Sequence, residues 1–284
     1  MIASTDHPKE TEEEFEPLLA VAARIRGRII QLSHQARTPH LGSSLSFVEL
    51  LVYLYWNFLK ISPSQVTDPA RDRFILSKGH GITTLYAVLA ERGFFPSELF
   101  GDYAQAGSSL PEHPSPQCVP GIEAATGSLG HGLSLATGIA LASKMNGTPF
   151  NVISLLSDGE CNEGSTWEAA LLAPVHKLDN LIAIVDFNKW QATGRSAEIT
   201  ALEPLEEKFS AFGWNSTRID GHDFLQIESA LASASQSDKP FAIIADTVKG
   251  KGIKMMEDDN NWHYRIPTKE EVDSSFLELD LESL

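Results

Sequence analysis

The chain has 284 residues, of which 42% are hydrophobic, with two cysteines and a formal net charge of −16 from 22 basic and 38 acidic side chains. Its length and apolar content suit one large α/β domain, and the charge disfavours nucleic acid or anionic membrane as a partner. Two cysteines make no disulfide framework and the start has neither a basic n-region nor an apolar h-region, so a soluble protein of the reducing cytoplasm is expected.

Residues 1–17 carry five glutamates, one aspartate and few apolar side chains, which predicts a loosely attached acidic tail. Order is expected from Leu18, where Leu18, Val21, Ala22, Ile25, Ile29 and Leu32 recur at helical spacing. A loop over residues 37–44 follows, and Ser46 is placed to cap an apolar helix from Phe47 to Phe58. The whole apolar stretch, to Leu59, is too short to span a bilayer and predicts burial against a neighbour or a partner. Residues 71–81, RDRFILSKGHG, read as a short strand entering a glycine-flanked histidine, with a helix ending near Gly93. Residues 107–126, rich in Ser, Pro and Gly, form a long loop containing His113. Residues 126–132, TGSLGHG, lead into a helix of small residues, an entrance whose backbone amides suit a diphosphate.

The central unit is more informative. An apolar run, Val152 to Leu156, ends in Ser157-Asp158-Gly159; a helix is predicted from Ser165 to His176; a second apolar run, Leu181 to Phe187, ends in Asn188. A strand, a crossover helix and a parallel strand place Asp158 and Asn188 together at the carboxyl edge of a sheet, where open α/β folds bind ligands. One carboxylate, one amide oxygen and a backbone carbonyl are hard donors suited to Mg²⁺ that also coordinates water and phosphate. Beyond it come a helix over 204–212, a strand over 214–219, a turn at 220–223, a helix to Ala234 and a strand over 241–245. Residues 248–254 read as flexible and basic, and the acidic end as a peripheral helix.

Six of the nine histidines, His40, His80, His113, His131, His222 and His263, fall in predicted loops beside Gly or Pro. Imidazoles transfer protons near neutral pH and hydrogen-bond sugar hydroxyls, so the set suits proton transfer on a polyol. No His or Cys pair has the short spacing of a zinc site.

Asp-Gly, about thirty residues and then Asn after an apolar strand resembles the thiamine diphosphate motif, and Glu163-Gly164 within it narrows the match to transketolases. RDRFILSKGHG, PEHP around His113, IEAATGSLGHG, SDGECNEG, IDGHD and WHY resemble the diphosphate-binding domain of that family, in the family's order, over residues 18–266, leaving 267–284 as an acidic terminal segment. The resemblance implies a doubly wound, mostly parallel sheet with helices on both faces. It implies Mg²⁺, with Ca²⁺ or Mn²⁺ as substitutes, held by Asp158, Asn188 and the Trp190 carbonyl. Thiamine diphosphate would meet His80, Gly127, Ser128, Leu129, Gly159, Glu160, Asn188 and His263. His40, His80, His113 and His263 would face substrate hydroxyls or shuttle protons, and Glu163 would be the buried acid linking two cofactor sites across a dimer. Ser157 departs from the usual Gly-Asp-Gly, the Pro39-His40-Leu41 surroundings differ from the family's, and Lys189 is unusual after Asn188.

Full-length transketolases carry a pyrimidine-binding and a carboxyl-terminal domain after this one, and neither pattern is found here. The expectation is therefore the amino-terminal subunit of a split transketolase, moving a two-carbon ketol unit from a ketose to an aldose, both as sugars or sugar phosphates. The expected partner is the C-terminal transketolase subunit in an α₂β₂ assembly, touching the Phe47–Leu59 helix. Alternatives are a subunit of another thiamine diphosphate enzyme, of the 2-oxo acid dehydrogenase alpha or deoxyxylulose-phosphate synthase type, or a non-catalytic partner-binding subunit.

Overall fold

A computed structural model describes residues 10–116 and 118–283. Five strands, β1 (Arg73–Leu76), β2 (Val152–Ser157), β3 (Leu181–Phe187), β4 (Asn215–Asp220) and β5 (Phe241–Asp246), form one sheet in the order β1-β2-β3-β5-β4. Every pairing is parallel. Strands β2 and β3 are buried at each position, as their largely apolar runs require of a sheet covered on both faces.

Because side chains alternate along a strand, the two runs feed two cores. Ile153, Leu155, Ile182, Ile184 and Ile243 pack with α1 (Glu10–Ala36), α3 (Val48–Tyr53), α4 (Ile82–Glu91) and α9 (Phe224–Ser235). Val152, Leu156, Leu181, Ala183, Val185 and Ile244 pack on the other face with α5 (Gly132–Asn146), α6 (Gly164–Val175) and α8 (Leu205–Ala211). Small residues in α5, with Ala136 and Ala140 fully buried, let it lie close to β2 and α6. The doubly wound parallel architecture matches the expectation.

Four local expectations change. Residues 1–9 of the expected tail lie outside the described residues, but α1 already runs from Glu10 and continues through Pro17. Proline forgoes one helical hydrogen bond there, and Phe15, buried and stacked 5.7 Å from Phe224, shows what holds that turn to the core. The loop expected at 37–44 includes a short helix, α2 (Leu41–Leu45), all five residues of which are buried. Ser46 caps nothing: its hydroxyl donates to Asp186 at 2.6 Å. The Phe47 helix widens into a π turn over Leu54–Phe58; residues 47–55 are buried inside this chain and so are core and not a partner surface, while Trp56 and Phe58 are half-buried and Asn57 is exposed. Exposed apolar side chains cluster instead on α5 and α6, at Leu135, Met145, Leu171, Leu172 and Val175.

A short helix α7 (Ser196–Ile199) follows the β3 loop, and α10 (Lys269–Glu278) closes the described chain behind a capping box of Thr268 and Glu271. No helix among the described residues is long and apolar enough to cross a membrane.

Candidate functional site

The register pairs Ser157 of β2 with Asp186 of β3, so Asp158 and Asn188 leave adjacent strands on the same edge. They open into a cleft of about 400 Å³ that is also lined by His40, His80, His113, Gly127, Leu129, Gly159, Glu163, Trp190 and His263. Segments far apart in sequence meet here because all five strands deliver their carboxyl ends to one side.

One wall carries oxygen. Asp158 begins a tight turn over Gly159–Asn162, accepting from the Gly159 N–H at 2.8 Å and from the Ser196 hydroxyl at 2.6 Å. Burial, with Asp186 nearby, raises its carboxyl to about 6. Asn188 donates through Nδ2 to Asp186 at 3.2 Å, which fixes its amide orientation, and Oδ1 accepts from the Trp190 N–H at 3.1 Å. A buried carboxylate resisting ionisation and an amide oxygen of fixed orientation form a donor set that a divalent cation would satisfy together with the Trp190 carbonyl, water and phosphate. Among the described residues no group of three or more His, Cys, Asp or Glu could hold a metal, so such an ion would depend on these mixed oxygen donors.

The glycine turn also fits a diphosphate. Gly127 has φ of +130°, and a β-carbon there would come within 2.5 Å of the His113 ring. Gly130, at φ of +85°, leaves similarly little room beside Ser165 and Glu163. Ser157 is accommodated because it ends a regular strand, its Oγ accepting from the Glu160 N–H at 3.3 Å.

The other wall carries imidazoles. The His40 ring lies 4.8 Å from that of His263 and 5.3 Å from that of His80. Desolvation, reinforced by His113 and the Lys249 and Lys78 ammonium groups, lowers His40 to about 4. Burial and Lys249 lower His263 to about 3, and burial with Lys78 holds His80 well below its ordinary value. All three are therefore neutral at pH 7, the form that both accepts and donates hydrogen bonds. His40 holds φ of +71° without being glycine, with its N–H bonded to the His263 carbonyl at 2.7 Å and a buried Nδ1 that has no partner among the described residues. Such a backbone persists only where its surroundings impose it.

Three expected site residues, Glu160, Glu163 and Ser128, lie outside the cleft lining or on its rim in the single chain. Glu160, expected at the cofactor, is fully buried behind the cleft, where it accepts from the Gly130 N–H at 2.7 Å and the Ser157 N–H at 3.3 Å and from the Ser77 hydroxyl. It braces the glycine turn, and burial raises its pKa. Glu163, expected to be the acid buried between two cofactor sites of a dimer, lies exposed on the cleft rim of the single chain, where a second copy could cover it. Ser128 is in the expected turn but exposed and outside the lining. Of the remaining loop histidines, His131 is exposed, and His222 lies apart, bonded to Glu49 at 3.0 Å and to the Val248 N–H at 2.9 Å.

Sequence reasoning missed the charged support. Lys78 and Asp186, both fully buried, form an ion pair beneath the cleft, and Lys78 also donates to the Ser43 carbonyl at 2.9 Å. Although burial opposes it, this pairing and the Ser46 and Thr247 hydroxyls hold the Asp186 pKa down. Lys249, read as part of a flexible basic stretch, is also buried, and burial followed by Lys78 lowers it to about 8. The only available signal was a charged residue inside or beside an apolar run.

Fold and site together define a thiamine diphosphate-binding α/β domain. The family model described as the transketolase, thiamine diphosphate binding domain matches residues 19–279. The chain is 41% identical over 268 residues to an apulose-4-phosphate transketolase subunit from Actinobacillus succinogenes, covering 93% of this chain and 96% of that one. It is 44% identical over 244 residues to the 6-deoxy-6-sulfo-D-fructose transketolase subunit of a Clostridium species, covering 86% and 89%. The solved transketolase of Campylobacter jejuni superposes with a TM-score of 0.89 at 32% identity over 93% of this chain, but only 43% of that one. The chain belongs to the transketolase family: it has the length of the split-enzyme subunits and spans about two fifths of the solved transketolases it matches.

Proposed function

We propose that this chain is the diphosphate-binding subunit of a two-chain transketolase, transferring a two-carbon ketol unit from a ketose to an aldose. The observation that carries the reading is a single cleft in which neutral His40, His80 and His263 stand with the oxygen donors of Asp158 and Asn188. Asp158, Asn188 and the Trp190 carbonyl would hold Mg²⁺; Gly127, Leu129, Gly159 and Asn188 would cradle the diphosphate. Thiamine diphosphate, when bound, supplies the carbon nucleophile and electron sink that ketol transfer needs. The protein's own part is to orient that group and to exchange hydrogen bonds and protons with sugar hydroxyls through His40, His80 and His113. A cluster of neutral imidazoles favours a polyhydroxylated substrate over the short acids of 2-oxo acid dehydrogenases.

The names of the subunit relatives support a second chain, which we assign as a C-terminal transketolase subunit in an α₂β₂ assembly that closes the open side of the cleft and supplies cofactor-activating groups. The reading is tested by mixing the two purified subunits with Mg²⁺, thiamine diphosphate, aldose acceptors and a ketose panel that includes apulose 4-phosphate and 6-deoxy-6-sulfo-D-fructose. Ketol transfer only by the mixture is expected. A complex that assembles and binds cofactor yet turns over no ketose would overturn the activity, and full turnover by the single chain would overturn the partner requirement.

A further inference from the structure

Lys249 is 1% exposed, and no carboxylate lies within ion-pair distance of its ammonium among the described residues. Its Nζ instead reaches His263 Nδ1 at 2.9 Å and Asn260 Oδ1 at 2.7 Å. An ammonium has three donors and no acceptor, so the ring nitrogen it meets must carry the lone pair. Neutral imidazole has one N–H, which then belongs to Nε2. That nitrogen makes no hydrogen bond among the described residues, and His263 lines the cleft.

The lysine is held in turn. Asn260 donates to the Ala192 carbonyl at 3.2 Å, keeping its own oxygen on Lys249. The preceding residue, Val248, donates to His222 Nε2 at 2.9 Å, and His222 Nδ1 therefore carries the proton bonded to Glu49 at 3.0 Å. Arg26 completes the anchor by bonding both Glu49 and the Lys251 carbonyl, the latter at 2.9 Å. Gly42 lies against the lysine's stem, where a β-carbon would meet Cγ at 3.2 Å. A buried cation with this much support is built for one direction of donation.

We propose that Lys249 is a positioning residue that locks His263 in the Nε2–H tautomer, so that in the resting site His263 presents a hydrogen-bond donor, not a base, to an oxygen of the bound ligand. This rests on the proposed ketol-transfer reading for the ligand's identity, but the tautomer is a property of the ligand-free chain and is testable without activity. It divides labour among the imidazoles: proton abstraction falls to rings without an ammonium on Nδ1, such as His40, whose own Nδ1 has no partner among the described residues.

The test is imidazole ¹⁵N NMR of the ligand-free chain at pH 7, with His263→Gln to assign the signals. His263 should show an unprotonated, hydrogen-bonded Nδ1 and a protonated Nε2, and folded Lys249→Met should lose that signature and populate both tautomers. A protonated Nδ1 in the wild-type chain would overturn the proposal, whatever the variant does. Retention of the single tautomer in folded Lys249→Met would assign the lock to another group and overturn it equally. In the assembled enzyme the same variant should lose about 10–100-fold in kcat/KM, the usual cost of removing the partner that orients a ligating histidine. Failure of all ketol transfer in the wild-type pair would count against the proposed function and leave the tautomer result standing.

Discussion

Replacing Asp158 by asparagine should make the cofactor-free chain more stable while removing its response to cofactor. The carboxyl is 1% exposed and its pKa is raised to about 6 from 3.8. Because the folded state holds the proton more tightly than the unfolded chain, ionisation opposes folding: the cost is absent below about pH 4, grows as pH rises and is complete above about pH 6. At about 1.4 kcal/mol per pKa unit, that difference costs about 3 kcal/mol at pH 7.5. Asparagine removes the charge at nearly constant volume but disturbs the bond from Ser196, a loss of about 1 kcal/mol. A net gain of about 2 kcal/mol remains, which at about 2–4 °C per kcal/mol is a rise of several degrees in Tm. Thermal unfolding at pH 7.5 would show it, with and without Mg²⁺ and thiamine diphosphate. Ligand should raise the wild-type Tm and leave the variant unmoved. A ligand-free Asp158→Asn chain less stable than wild type would refute the reasoning, since it would mean that the buried carboxylate is satisfied without a cation.

Further outcomes follow from the same geometry. Lys78→Met leaves the fully buried Asp186 carboxylate without its cation, so denaturant unfolding should show a loss of about 3–5 kcal/mol; a loss below about 1 kcal/mol would mean that Ser46 and Thr247 suffice. Gly127→Ala places a β-carbon against His113 at a backbone angle that side chains rarely adopt, so calorimetry should record at least about tenfold weaker thiamine diphosphate binding, equivalent to about 1.4 kcal/mol. His40→Ala and His113→Ala, assayed in the assembled enzyme, should lower turnover by about 10²–10⁴-fold. Near-normal steady-state rates in both would remove these rings from the chemistry.

The sequence announced the oxygen donors because a charged or amide residue closing an apolar strand has only one edge of a parallel sheet to occupy, and Asp158 and Asn188 lie there. It announced the glycine turn and the loop histidines for a similar reason, each being tied to a local conformation. The charged floor was hidden because its bonds join distant segments: Lys78 and Asp186 are 108 residues apart, and Asp186 sits within a run that otherwise reads as plain core. Lys249 looked mobile among glycines and lysines, although burial against α2 and Trp262 fixes its neighbourhood. Glu160 and Glu163 were separable only by the turn after Asp158, which points one carboxylate inward beneath Gly130 and leaves the other at the rim.

Asp258 lies outside the cleft lining, yet it accepts from the Trp190 indole N–H at 2.8 Å and from both terminal nitrogens of Arg195, the guanidinium of which stacks 3.8 Å above the Trp190 ring. The residue proposed to lend its carbonyl to the cation is thus clasped, through its side chain, to the segment that ends in His263. Displacing either loop breaks bonds to the other, so the proposed cation end of the cleft and its His263 end are tied to one another by a clasp that lies outside the cleft itself.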